Sequence, residues 1–196
     1  MTPWAAAYTK NFDPANDPDH YDATAQCNPL GYTRSMNSPV PTQIVQTPRE
    51  VAFLHEAFFV FHVVYMDGRP HPASARQTTW YGHSVGHWEG DTLVVDTVGP
   101  FFGSPKMNLD TRGHPMSDRL HLVERFTRTD FDTLSYEVTV DDAKAFTRPF
   151  KNSRTWKLMP AREEIMEYAC TENNKEVSEG LVNTKPSEKQ PPPPEK

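Results

Sequence analysis

Residues Gly82–Gly99 read GHSVGHWEGDTLVVDTVG, and their pattern sets the fold class. Gly82, Gly86 and Gly90 together with β-branched Val85 make a poor helix, while the second half, ending in LVVDTV, alternates as a strand does. Gly90–Asp91 then serves as the two-residue turn of a hairpin. That turn predicts a register in which Glu89 faces Thr92, Trp88 faces Leu93, His87 faces Val94 and Val85 faces Asp96. One face carries Ser84, Gly86, Trp88, Leu93, Val95 and Thr97 and reads as the packed side. The other carries His83, Val85, His87, Glu89, Val94 and Asp96.

Strand-like segments continue on both sides of this hairpin. Upstream lie TQIVQT, VAFLHE and FFVFHVVYM, bounded by the turn-rich MDGRPHPAS. Downstream, HLVERFTR and TLSYEVTV join across TDFD, and NSRTWKLM and EIMEYAC join across PARE. Short connections and no convincing central helix predict an all-β antiparallel meander. The expected form is a closed or nearly closed, lipocalin-like barrel of about eight to nine strands. A β-sandwich is the alternative. Residues 1–40 are expected to form an irregular arm packed on the body, with a short helical stretch around Thr2–Thr9 where Pro3 fits the first turn. The barrel would span 41–170, and the Pro-, Glu- and Lys-rich residues 171–196 read as a disordered tail.

Bulk properties narrow the function classes. The chain has 196 residues, enough for one domain with a real core. Its formal net charge is −6 and its arginines are scattered, which argues against a surface that tracks nucleic-acid phosphates. The most apolar segment, residues 53–66, is too short to span a bilayer. The start, MTPWAAAYTK, lacks the charged and apolar regions of a secretory signal, so the chain is either cytoplasmic or numbered after processing. Cys27 and Cys170 have no CxxC spacing; they either close one long loop or remain buried thiols.

Several residue types bear on chemistry. His83 and His87 suggest a chelate, but on a strand their α-carbons lie about 13 Å apart, too far to share one ion. His87 and Glu89, about 7 Å apart, could share a metal with ligands from elsewhere. Asp96 is diagonal to both His83 and His87 and is placed to orient an imidazole and raise its basicity. In LHLVERF, Glu124 falls among Leu120, Leu122 and Phe126, and opposite Leu134, Tyr136, Val138 and Val140. A carboxylate on such a face must be paired or held neutral, either by an arginine such as Arg34, Arg69, Arg112 or Arg119, or as a cavity acid. His62 reads as a satisfied core histidine or a cavity-lining group. His71 and His114 read as turn residues beside prolines, and His121 as a surface residue. No nucleophile elbow, phosphate loop or dinucleotide fingerprint is present.

Four stretches, YMDGRPHP (65–72), GHSVGHWEGDTLVVDTVG (82–99), LHLVERF (120–126) and DDAKAFTRPF (141–150), resemble a widespread family of uncharacterised, exported bacterial proteins. The resemblance covers most of residues 1–174. It implies a signal peptide ahead of the MTPW region, a periplasmic or secreted location and a Cys27–Cys170 disulfide, and it implies no activity. HWEGDTLVV is only loosely similar to a cupin metal-binding strand, because the paired histidines and the second motif are missing.

The residues together predict a site in the barrel cavity for a small, largely apolar or aromatic organic molecule, using proton transfer without a cofactor, as in an isomerase, cyclase or lyase. His87 oriented by Asp96 would be the base, Glu124 the acid and His83 the alternative base. Tyr65, Trp80, Trp88, Tyr136 and His62 would line the cavity. A carrier of the same architecture and a metal enzyme using His87 and Glu89 are the alternatives.

Overall fold

The computed structural model describes residues 1–12, 24, 27–75, 79–99 and 108–170; the expected tail, 171–196, lies outside the described residues. Eight strands follow one another in chain order across a single sheet. They are β1 (Thr42–Gln46), β2 (Glu50–His55), β3 (Val60–Tyr65), β4 (His83–Glu89), β5 (Thr92–Val98), β6 (His121–Asp130), β7 (Thr133–Asp141) and β8 (Phe150–Lys157). The sheet is the expected all-β meander, curled into a half-barrel with β1 and β8 as its edges.

The β4–β5 hairpin has the register predicted from its turn, from His83↔Val98 to Glu89↔Thr92. Gly90 takes a left-handed φ of 58°, which a two-residue turn requires at that position. One step departs from the hairpin pattern: β3 and β4 run parallel, with Val64 opposite Ser84 and Tyr65 opposite Val85. A parallel pair needs a long crossover, and residues 66–82 supply it. EIMEYAC is not a ninth strand either. Beyond Lys157 the described chain is irregular and returns to the β2–β3 connection, where Met166 donates its N–H to Glu56 (2.8 Å) and Tyr168 packs on Phe58. These contacts, and the disulfide that follows, take the place of pairing with β8.

The arm carries more order than its composition suggested. Helix α1 (Pro3–Lys10) starts from Thr2 with Pro at its first turn, and Thr2 ties it to the body through Ala145 (2.9 Å) and Lys144 (2.7 Å). Helix α2 (Tyr32–Met36) lies in the concave side of the sheet, where Tyr32 and Met36 are each 1% exposed. They join Val51, Phe53, Val64, Val95, Leu122, Phe126, Tyr136 and Val138 in one core. The mouth of the half-barrel is therefore filled over its middle by residues of its own arm. Cys27 and Cys170 form a disulfide with Cα atoms 5.5 Å apart, fastening the arm to the end of the described chain.

Candidate functional site

The convex face holds a connected group of titratable side chains. Strand alternation turns His83, Asp96 and His121 outward, and the loop after β3 brings His71, between two prolines, back over them. Asp96 Oδ1 lies 3.1 Å from His71 Nε2 and 3.0 Å from His121 Nε2, so two imidazoles share one carboxylate oxygen. His71 Nδ1 is in turn 2.8 Å from His83 Nδ1. The hydrogen bond from His121, opposed in part by burial, draws the Asp96 carboxyl below its ordinary range, with His71 acting the same way. An ionised Asp96 makes both Nε2 atoms donors, which leaves His71 Nδ1 as acceptor and assigns the shared hydrogen to His83 Nδ1. His83 Nε2 is then the basic end of the chain.

His83 is held from its other side as well. Its ring stacks on Tyr65 with centroids 5.3 Å apart, and the Arg69 guanidinium lies 4.0 Å over Tyr65. Partial burial, then His71 and Arg69, push the His83 imidazole below its ordinary pKa and favour the neutral form a base needs. His71, Asp96 and His121 open onto a cleft of about 630 Å³ that Arg119, Asp141 and Lys144 also line.

A second polar group lies on the concave side. Glu124 is 0% exposed and accepts hydrogen bonds from two phenols, Tyr136 to Oε1 (2.7 Å) and Tyr32 to Oε2. Of the two alternatives, an arginine partner or a carboxyl held neutral, the described partners are phenols and not Arg34, Arg69, Arg112 or Arg119, because α2 delivers Tyr32 into the sheet opposite Tyr136. Burial pushes the Glu124 carboxyl up to about 7 although both phenols act the other way. A hydrogen-bonded row continues from Tyr32 through Thr97, Ser84 and His62, with 2.7 Å at each of the last two steps. Burial, then His55, holds His62 at about 3, so it is neutral; its buried Nδ1 has no partner among the described residues, which makes Nε2 the protonated nitrogen. Tyr32 and Phe53 pack against its ring.

The expected convergence of His87, Asp96 and Glu124 does not occur. Glu124 pairs with Val95 on the packed face, whereas His87 and Asp96 point the other way, because side chains alternate along every strand. Nor does Asp96 reach His87: His87 Nε2 is 3.2 Å from Glu89 Oε1 near the exposed hairpin tip, and Glu89 Oε2 takes Arg125 at 2.7 Å. Both Glu89 oxygens are thus engaged, and among the described residues no three His, Cys, Asp or Glu side chains are grouped to hold a metal ion. The expected cavity walls also separate. Tyr65 is on the convex face, Trp88 is 48% exposed, Trp80 packs on the core edge, and Tyr136 and His62 are buried in it.

Of the residues expected to act, His83 and Asp96 are brought together. His71 and His121, read as turn and surface residues, are their partners. His121 reaches Asp96 only through the β5–β6 register, in which Val98 faces His121 across a connection of residues 99–120. No short turn in the sequence announces that register. No family model matches the chain, and no solved structure matches it.

Proposed function

We propose that this protein is a cofactor-independent acid–base enzyme whose centre is the convex-face group His83–His71–Asp96–His121. One observation carries the reading: a single Asp96 oxygen is shared by two imidazoles, one of which passes a hydrogen bond on to a third. His83 Nε2 is the base that removes a proton from a carbon acid, and Asp96, acting through His71, balances the charge that develops on the imidazole. The reaction class is isomerisation, cyclisation or elimination. Arg119 in the adjoining cleft suits a small organic substrate that carries an anionic group, whereas Lys144 there is paired with Asp118 (3.0 Å).

The disulfide supports an oxidising location, periplasmic or secreted, in line with the family the sequence resembles. No helix among the described residues is long and apolar enough to cross a membrane.

Incubation in D2O with a panel of oxo-carboxylic acids and their neutral esters, followed by proton NMR, tests the reading. The wild type is expected to wash deuterium into the C–H beside a carbonyl of at least one acid. Asp96→Asn and His83→Gln should slow this by about 100-fold or more, the usual contribution of a positioned acid–base group. His87→Ala should leave it intact. No exchange in any compound, or equal exchange in Asp96→Asn, overturns the proposal.

A further inference from the structure

The face of the sheet opposite the histidine group holds a cavity that the proton-transfer reading does not use. It lies at the β7–β8 end of the half-barrel, beyond the part that Tyr32 fills, and has a volume of about 720 Å³, within the range of small-molecule sites. Its floor is Val138 and Val140 of β7, 2% and 3% exposed. Phe146 and Phe150, edge to face with centroids 4.9 Å apart, form one wall, and Leu30 and Leu109 face them. Phe150 remains 40% exposed although it borders this cavity.

Polar side chains come from three sides: Thr33 and Arg34 of α2 with the residues just after it, the loop that carries Asp110 and His114, and Asn152 of β8. Asp110 carries the only carboxylate among the described lining residues, and its own loop uses both oxygens. Oδ1 accepts from the backbone of Arg112 (2.9 Å) and His114 (3.3 Å), and Oδ2 accepts from His114 Nδ1 at 2.6 Å. Arg34 of α2 is the single arginine or lysine among the described lining residues. With five N–H donors in a planar fork, Arg34 can hold a ligand oxygen alongside its contacts within the protein. A chamber with an apolar floor and aromatic wall, and with one guanidinium and an engaged carboxylate among its described lining residues, is complementary to a ligand with an apolar body and one anionic end.

We infer that this cavity binds a small amphipathic organic anion, such as a medium-chain or aromatic carboxylate, with its apolar body against Val138, Val140, Phe146 and Phe150 and its anionic group on Arg34. The site is independent of the acid–base centre, since the sheet stands between them.

Titration with 8-anilino-1-naphthalenesulfonate, followed by displacement with decanoate or decan-1-ol, tests it on the full chain. One dye per chain is expected, with decanoate displacing it at least tenfold more effectively than decan-1-ol. Arg34→Gln should abolish that preference while Arg34→Lys keeps part of it. Asn152→Trp, at the cavity rim on edge strand β8, should block dye and decanoate together without touching the core. Asp96→Asn should bind as the wild type does, which separates this site from the convex face. Equal displacement by acid and alcohol, a preference that survives Arg34→Gln, or binding retained in Asn152→Trp overturns the assignment. A dye stoichiometry of one per two chains would overturn it in favour of a face between copies.

Discussion

Glu124 holds a phenol on each carboxylate oxygen, and burial still pushes its pKa to about 7, above an ordinary value of 4.5. Folding therefore retains a proton that the unfolded chain gives up, so Glu124 contributes most below pH 4.5 and the contribution is lost as pH rises through about 7. His55 and His62 act in the opposite sense. Burial holds them at about 4 and about 3 against an ordinary 6.5, so their contribution is complete above pH 6.5 and is lost as pH falls. Between pH 4.5 and 6.5 two histidines oppose one carboxyl, and their net effect is a loss on acidification of about 1.4 kcal/mol per pH unit. Glu124→Gln removes the opposing group, and the dependence should steepen by about 1.4 kcal/mol per pH unit. Urea unfolding of both proteins at pH 5.0 and 6.0 checks this; an unchanged slope would mean that Glu124 is ionised in the fold.

Among elements, the β4–β5 hairpin places His83 and Asp96, and its two ends depend on glycine for different reasons. At Gly90 φ is 58° but an added Cβ would meet nothing within 4 Å, so Gly90→Ala carries only the backbone penalty of about 1 kcal/mol. At Gly82 φ is 75° and an added Cβ would lie 2.4 Å from the carbonyl oxygen of Val98, in the partner strand. Gly82→Ala should therefore cost several times more and displace His83 from His71. Thermal unfolding of the two variants gives the comparison, and equal shifts would contradict it. This hairpin was legible in the sequence because its turn and its alternation lie within one short stretch. The placing of Glu124 among apolar residues was legible for the same reason. The parallel β3–β4 pair and the irregular course of EIMEYAC were not, because long connections and competing contacts decide them. Tyr32 gave no signal either, since nothing in the arm's Pro- and Asn-rich composition indicates that α2 enters the half-barrel.

For the whole molecule, the arm is both the plug of the half-barrel and the part least secured by hydrogen-bonded strands. The Cys27–Cys170 bond spans a sequence separation of 143, and closing so long a loop is worth about 5 kcal/mol in the chain-entropy model. Reduction, or Cys27→Ser, should lower the melting temperature by about 10 °C or more for a chain of this size. Calorimetry with and without reductant measures it, and a change of only a degree or two would show that α2 is held by packing alone. The sequence by itself determined the all-β class, the hairpin register and the placing of Glu124 among core residues, because turn chemistry and period-two alternation act over a few residues; it did not determine that Trp88 is exposed and Val94 buried. Only the tertiary structure decided which outward residues meet. His71, His83, Asp96 and His121 come from four separate segments, and their approach depends on a crossover loop and a non-local strand register that packing of the whole sheet selects.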